Sequence, residues 1–137
     1  MDEQFELDAP AIVFPGQNDP ASAYRVAYDL LSRRAPEEAL EVLEPALAED
    51  PRNTGLRTLR AWAYLIRVQL GKAEEELREL VEEHPDDVWV RFALGRALER
   101  QSRYAEALPH LRLAAVMSAD PEHELAVLRV ERLSGAL

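Results

Sequence analysis

The chain has no cysteine, only five glycines among its 137 residues, and an aromatic fraction of 7%. Without thiols it can form neither a disulfide framework nor a thiolate metal site, and nothing in it requires an oxidising compartment. The scarcity of glycine, together with abundant alanine and leucine, favours helices over strands. The composition therefore predicts an all-α protein.

Long apolar runs and an excess of basic residues are also missing. No segment approaches the roughly 18 apolar residues that span a bilayer, and the start, MDEQFELDAP, lacks the basic then apolar order of a secretory signal. The 26 acidic residues outnumber the 16 basic ones, and the net charge of −10 would repel a phosphate backbone. We expect a cytoplasmic protein with neither a nucleic acid nor a membrane as partner. The single lysine, Lys72, is typical of a genome rich in G and C codons, so we expect a bacterial source.

An internal period of 34 residues is the main feature that is present. Four positions of matched residue type recur three times in one register. They are Ala27, Ala61 and Gly95, then Leu30, Tyr64 and Leu98, then Ala39, Ala73 and Ala107, then Leu43, Leu77 and Leu111. Small residues let two helices approach closely, and the large ones fill the space between them, which is typical of ridge-and-groove packing.

Helix-start signals divide each period into two helices. A carboxylate precedes a proline, whose missing N–H costs nothing at the first helical position, at Asp19-Pro20 and again at Asp120-Pro121. Pro36, followed by two glutamates, opens a helix in the same way. The pattern predicts seven helices at about residues 20–33, 37–49, 54–68, 71–84, 88–101, 104–118 and 121–134, with ends uncertain by ~2 to 4 residues.

The third period, RFALGRALERQSRYAEALPHLRLAA, resembles a tetratricopeptide repeat. The matching residues are Leu94-Gly95, Leu98, Tyr104, Ala107 and Leu111. In the first period, EEALEVLEPALAEDP resembles the second helix and closing proline of such a repeat. The middle period departs most, because Arg57 and Arg60 stand where the family prefers Trp and Leu, and Val68 stands where the turn usually has Gly. The conformation of that turn stays open at this point.

The resemblance implies antiparallel helix pairs that form a right-handed superhelix, an α-solenoid. It places three repeats at about residues 20–53, 54–87 and 88–119, and a capping helix over 120–137. The last helix is expected to have two faces, an apolar one with Leu125 and Leu128 and a charged one with Arg129 and Arg132.

The family's first helices line a concave groove that takes an extended or helical peptide. Carried over residue by residue, the resemblance implies an aromatic and aliphatic groove with arginines at one end. Its residues are Tyr24, Arg25, Tyr28, Leu59, Trp62, Ile66, Trp89, Phe92, Arg96 and Arg100. The alternative is that Trp62 and Trp89 pack between repeats. One subgroup of the family clamps a carboxyl terminus with Lys and Asn, but this chain has Tyr24, Tyr28 and Leu59 at the matching positions, so we do not expect that clamp.

Residues 1–19 are expected to be an extended or flexible segment. Ile12, Val13 and Phe14 form an apolar cluster between two prolines that favour extended backbone. Two interpretations stay open. The cluster belongs to a frayed terminus, or it lies against the solenoid or enters the groove of a neighbouring copy.

Catalytic chemistry has little support. Nucleophilic catalysis needs a hydroxyl or thiol beside an oriented base, and the three histidines stand at repeat ends or on a second helix. The acidic residues around His84 are more typical of a charged turn than of a metal site. We expect no enzyme, cofactor or metal, but a module that binds a protein or peptide as an adaptor, scaffold or chaperone-like protein. The alternatives are a self-associating module, dimeric through the amino-terminal segment or the last helix, and a small regulatory chaperone of a secretion or transcription system.

Overall fold

In the computed structural model of the protein, the structure describes Leu7, Ala9, Pro10 and residues 19–135. Regular structure in this part of the chain is entirely helical. The helices are α1 (Asp19–Ser32), α2 (Pro36–Glu49), α3 (Thr54–Ile66), α4 (Leu70–Glu83), α5 (Val88–Arg100), α6 (Tyr104–Met117) and α7 (Pro121–Ser134). The all-α class and the seven predicted helices are confirmed. The apolar cluster at Ile12, Val13 and Phe14 lies outside the described residues.

Side-chain caps and prolines set several of the helix starts. Asn53, Asp87 and Asp120 each accept a hydrogen bond from a backbone N–H in the first turn of the helix that follows. Pro36 and Pro121 occupy the first turns of α2 and α7, where a missing N–H costs nothing. Local sequence signals therefore explain why these boundaries were predictable.

The two helices of each period meet at a corner with left-handed backbone. Arg34, Val68 and Ser102, which are one period apart, have φ angles of 63°, 60° and 61°. At the middle corner the N–H of Gln69 donates to the Tyr64 carbonyl at 2.8 Å, and the other two corners have equivalent bonds. This is the Schellman arrangement that ends many helices. The turn that the sequence left open therefore has the same form as its neighbours, although Val68 is β-branched.

The chain divides within α4 into two compact units, Met1–Glu76 and Leu77–Leu137, called unit 1 and unit 2 below. In unit 1, α1, α2 and α3 pack against one another; in unit 2, α6 packs against both α5 and α7. The repeated small and large residues form the cores, as predicted, and most are fully buried. Fully buried members are Ala27, Ala39, Leu43, Ala61, Ala73, Leu77, Leu98, Ala107 and Leu111.

Gly95 marks a close approach of α5 to α6. A Cβ atom at this position would lie 2.5 Å from Cδ2 of Leu111 and 2.7 Å from its Cγ. No real side chain fits at such distances unless Leu111 moves. The small residue that the period predicted at this position therefore allows the two helices to pack in unit 2.

The unusual arginines of the middle period form a buried ion-pair network in unit 1. Arg57 and Glu76 are only 3% and 8% exposed. Nε of Arg57 lies 3.3 Å from Glu76 Oε2, and Nε of Arg60 lies 2.8 Å from Oε1. Burial alone would lower the pKa of Arg60, but the hydrogen bond and the charge of Glu76 outweigh it and raise that pKa. A buried charge needs such a partner, so Glu76 is what allows the departure from Trp and Leu.

Helix α7 buries a different face from the one that the sequence suggested. Its buried residues are Ala126 and Val130, whereas Leu125 and Leu128 are 59% and 49% exposed. The small and β-branched side chains pack in unit 2, and the two leucines face solvent. In the described part of the chain, no helix combines the length and the apolar character needed to cross a bilayer.

Candidate functional site

The residues predicted for the groove fall into both units, and each set is described by itself. Unit 1 holds Tyr24, Arg25, Tyr28, Leu59, Trp62 and Ile66 on α1 and α3, and unit 2 holds Trp89, Phe92, Arg96 and Arg100 on α5. Leu59 is fully buried, so it belongs to the core and cannot line a surface. Sequence spacing identified the helix correctly, but it could not fix how far this side chain turns inward.

Three aromatic rings meet in unit 1, and we call Tyr24, Tyr28 and Trp62 the aromatic cluster. The ring centroids of Tyr24 and Tyr28, one helical turn apart on α1, are 6.0 Å apart. Those of Tyr28 and Trp62 are 5.8 Å apart, with an interplanar angle of 65°. Edge-to-face contact is a favourable arrangement for aromatic rings. Each ring is therefore held by its neighbour rather than free to change rotamer.

The aromatic cluster is mostly covered. Tyr24 and Trp62 are buried, Tyr28 is partly exposed, and Arg25 beside it is exposed. Trp62 of the middle period thus packs against Tyr28 of the first, which agrees with the packing alternative for this tryptophan. The member of the cluster that an incoming group can reach is Tyr28; Ile66, further along α3, is also partly exposed.

Gly55, at the start of α3, sets the position of the Tyr24 ring. A Cβ atom at Gly55 would lie 3.1 Å from the Tyr24 ring, closer than most real Cβ contacts. The ring therefore rests directly on the backbone of α3. This contact, like the ring contact with Tyr28, restricts the rotation of Tyr24.

Pro10 is the residue of this surface that sequence reasoning did not include. It is buried, and its carbonyl oxygen accepts a hydrogen bond of 3.2 Å from the Tyr28 hydroxyl. Leu7 is partly buried and Ala9 is exposed. The sequence did show a proline next to an apolar cluster, but only the structure shows that this proline reaches α1.

Two arginines of unit 2, Arg96 and Arg129, share the carboxylate of Glu99, and the charge of Arg100 acts on Arg96. We call Arg96, Arg100 and Arg129 the arginine cluster. Arg129 binds Glu99 with two hydrogen bonds, of 2.6 Å from Nε and 2.9 Å from Nη2. Arg96, whose side chain is 17% exposed, places Nε 3.0 Å from the same carboxylate. Arg129 and Glu99 were not predicted, because their pairing joins α7 to α5 across 30 residues.

Burial lowers the pKa of Arg96, and the positive charges of Arg129 and Arg100 lower it further. The carboxylates of Glu99 and Glu122 act in the opposite direction but do not outweigh these effects. The charged form of Arg96 is therefore less favourable here than in water. An additional carboxylate at this position would stabilise it.

The second aromatic residue of α5 is covered within unit 2. Phe92 is buried under the imidazole of His123, with ring centroids 4.1 Å apart and an interplanar angle of 28°. Nδ1 of His123 lies 2.7 Å from the Ser118 hydroxyl, which fixes the orientation of the imidazole. Trp89 is partly exposed at the start of the same helix. The predicted apolar residues of α5 thus include one core-like side chain and one at the surface.

His110 lies on α6 in a basic environment. Burial lowers its pKa, and the nearby charges of Arg91 and Arg78 lower it further against the opposing charge of Glu106. Nη1 of Arg91 lies 3.5 Å from Nδ1 of this histidine. In the described part of the chain, no three histidine, aspartate or glutamate side chains are grouped so that they could hold a metal ion.

Two family models, both described as tetratricopeptide repeat, match residues 30–87 and residues 69–124. A comparison with curated proteins gives no match. Among solved structures, the NMR structure of the first TPR domain of the human RPAP3 protein has a TM-score of 0.75 at 16% identity, over 83% of this chain and 91% of that one.

Two structures of MamA AMB-1, P212121 and C2221, are also similar. They have TM-scores of 0.76 and 0.73 and identities of 22% and 24%. The first match covers 90% of this chain and 73% of the other, and the second covers 84% and 68%. At these identities the likeness concerns the fold, which is all-α and of the tetratricopeptide-repeat type.

Proposed function

We propose that this chain, whose residues 30–124 are tetratricopeptide repeats, is a non-catalytic module that binds a peptide or segment of another protein. Proteins with such repeats generally mediate protein–protein interactions. The proposed contact residues are the exposed parts of the predicted first-helix residues in each unit. We place the protein in the cytoplasm of a bacterium, as an adaptor, scaffold or chaperone-like subunit.

The observation that carries this proposal is the position of Arg96 in the arginine cluster, beside Glu99 and Arg129. Its guanidinium shares Glu99 with Arg129, which already binds both oxygens of that carboxylate. Burial and two like charges lower its pKa, as described above. An acidic side chain of a partner would add a further favourable charge beside Arg96 and Arg100, and partly desolvated pairs of this kind fix orientation as well as affinity. The proposed ligand therefore carries a carboxylate that contacts Arg96 and Arg100.

Affinity capture with charge-reversal variants tests this proposal. Tagged protein is used to capture partners from the native organism, and the captured proteins are identified by mass spectrometry. Arg100→Glu should abolish the capture of at least one specific protein, since Arg100 is partly exposed beside Arg96. Arg132→Glu, which makes the same charge change at an exposed position on α7, is the matched control and should capture the same proteins as the unchanged chain.

The salt dependence of capture adds a second measurement. Contacts between partly exposed charges weaken as salt shortens the Debye length from about 10 Å at 0.1 M to about 3 Å at 1 M. Capture that is lost in Arg100→Glu should therefore also weaken with salt. Identical protein sets for both variants, or capture that does not respond to salt, would count against an acidic ligand at the arginine cluster.

A second candidate function is self-association through the last helix. The exposed leucines of α7, Leu125 and Leu128, present apolar surface to solvent, and such surface often marks a protein contact. Light scattering over a range of concentrations should then give a dimer mass that Leu125→Lys with Leu128→Lys reduces to the monomer mass. Val26→Lys, at an equally exposed valine of α1, should leave the mass unchanged. A monomer at all concentrations would exclude this candidate.

A further inference from the structure

We propose that the aromatic cluster of unit 1 recognises an extended, proline-containing peptide, and that Pro10 of the same chain occupies this site until a partner displaces it. The inference rests on the proposed function, because it names the ligand chemistry of one of the two surfaces. It concerns Tyr24, Tyr28 and Trp62 only, and does not involve the arginine cluster.

The contact at Pro10 already has the features of ligand binding. Pro10 is buried, although Ala9 directly before it is exposed. The Tyr28 hydroxyl donates to its carbonyl oxygen at 3.2 Å, and the two residues are 18 positions apart in sequence. The bond is therefore a tertiary contact between the amino-terminal segment and α1.

Proline is the residue that such a surface distinguishes best. A proline has no N–H, so a binding surface can satisfy its backbone only by donating to its carbonyl oxygen. Surfaces that bind proline-rich segments are lined with aromatic rings and take the peptide in an extended conformation, which such segments already favour when free. Tyr28 combines a ring with a hydrogen-bond donor. The residue before a proline is itself restricted to extended backbone, which lowers the entropy cost of binding.

The cluster is also rigid enough to discriminate. Tyr24 rests on Gly55, and Tyr28 lies between Tyr24 and Trp62 with ring contacts of 6.0 and 5.8 Å. These contacts fix the position of the Tyr28 hydroxyl before any ligand arrives. A fixed donor selects for a carbonyl at one distance from the ring, because a displaced carbonyl would lose the hydrogen bond.

The internal ligand lowers the apparent affinity for a free one. A short tether gives a bound segment an effective concentration of about millimolar. A peptide added in solution must compete with the tethered segment at that concentration. Weakening the internal contact should therefore strengthen the binding of a peptide added in solution. This expectation separates an occupied binding site from a contact that is only structural, since a structural contact gives a peptide no place to bind.

The test uses the full chain with Trp89→Phe. Since the chain has two tryptophans, this substitution leaves Trp62 as the only one. The probe is a blocked hexapeptide of alternating Ala and Pro, and the blocked hexa-alanine peptide is its control. Titration is followed by Trp62 fluorescence in the unchanged background and in Pro10→Gly. We expect a saturable change with the Ala-Pro peptide only, and binding at least threefold tighter in Pro10→Gly.

A further variant tests the role of the hydroxyl. Tyr28→Phe, added to the Pro10→Gly background, keeps the ring and removes the donor. It should weaken binding of the Ala-Pro peptide by about 3- to 10-fold, the value of one neutral hydrogen bond. Circular dichroism at 222 nm confirms that each variant keeps its helices. If this variant is not folded, the comparison between Pro10→Gly and the unchanged background still decides.

Three results would overturn the inference: equal affinity with and without Pro10, an equal response to both peptides, or no response to either. Its failure can be told apart from failure of the proposed function. If the Ala-Pro peptide does not bind but Arg100→Glu still abolishes capture, only the inference about the aromatic cluster is wrong. If the peptide binds as expected and capture does not depend on Arg100, the proposed acidic ligand is wrong instead.

Discussion

Substituting Glu76 with alanine should destabilise unit 1 more than any other single change to a charged residue of that unit. The carboxylate pairs with Arg57 and Arg60, and Arg57 is only 3% exposed. Removing it takes the Glu76 carboxylate away from a buried guanidinium, and breaking a buried ion pair from one side costs about 3 to 5 kcal/mol. For a chain of this size, about 1 kcal/mol shifts Tm by roughly 3 to 6 °C. We therefore expect Tm to fall by at least about 10 °C.

Urea unfolding followed by circular dichroism measures the loss. The slope of the transition should stay constant, so that the midpoint reports stability alone. The matched control is Glu44→Ala, because Glu44 lies 3.5 Å from the same Arg60 but is exposed. An exposed pair contributes about 0 to 1 kcal/mol, so this variant should be nearly neutral.

An apolar triple variant completes the test of the buried network. Replacing Arg57, Arg60 and Glu76 together with leucine removes all three charges, and such replacements are often neutral or stabilising. The triple variant should therefore recover most of the stability that Glu76→Ala loses. A loss below about 1 kcal/mol in Glu76→Ala, or a triple variant no more stable than the single one, would refute the reasoning.

Three further predictions concern stability. Val68→Gly should raise the free energy of unfolding by about 1 kcal/mol, because it relieves a β-branched residue at φ 60°; an unchanged urea midpoint would contradict this. Gly95→Ala should lower it by about 1 to 3 kcal/mol through the clash with Leu111, whereas Gly71→Ala, with no atom within 4 Å, should be neutral or stabilising. His110 has a lowered pKa in the folded state, so the unfolded state takes up the proton first as pH falls through about 6.5. Stability should therefore decrease from pH 7 towards pH 5, and Tm measured across that range should vary less in His110→Gln.

The helices and the core were predictable because their signals are local or repeated. Pro36 and Asp120 mark the starts of α2 and α7, and each lies in or directly before the first turn of its helix. Ala27 and Leu43 recur at a fixed step, and the step itself identified them as packing positions. A pattern that occurs three times in one register can be recognised without any knowledge of tertiary contacts. The same pattern also predicted the tight approach at Gly95.

The candidate site was less predictable, because exposure depends on small rotations of a helix and on contacts distant in sequence. Leu59 shares a helix with Trp62, yet it turns fully into the core. Leu125 looked like a core residue of α7, but Ala126 directly after it is the residue that packs. The contact of Pro10 with Tyr28 leaves no periodic trace in sequence at all. Long-range pairs of this kind appear only when the chain is folded.

The three left-handed corners also make this protein a convenient subject for spectroscopy. Arg34, Val68 and Ser102 are all exposed and share one backbone geometry, and the chain has no cysteine of its own. A cysteine introduced at any one of them would be the sole attachment point for a spin label or a fluorophore. A pair of labels at 34 and 68 would measure a distance within unit 1. That distance would be the reference for distances measured to a label at 102, which lies in unit 2.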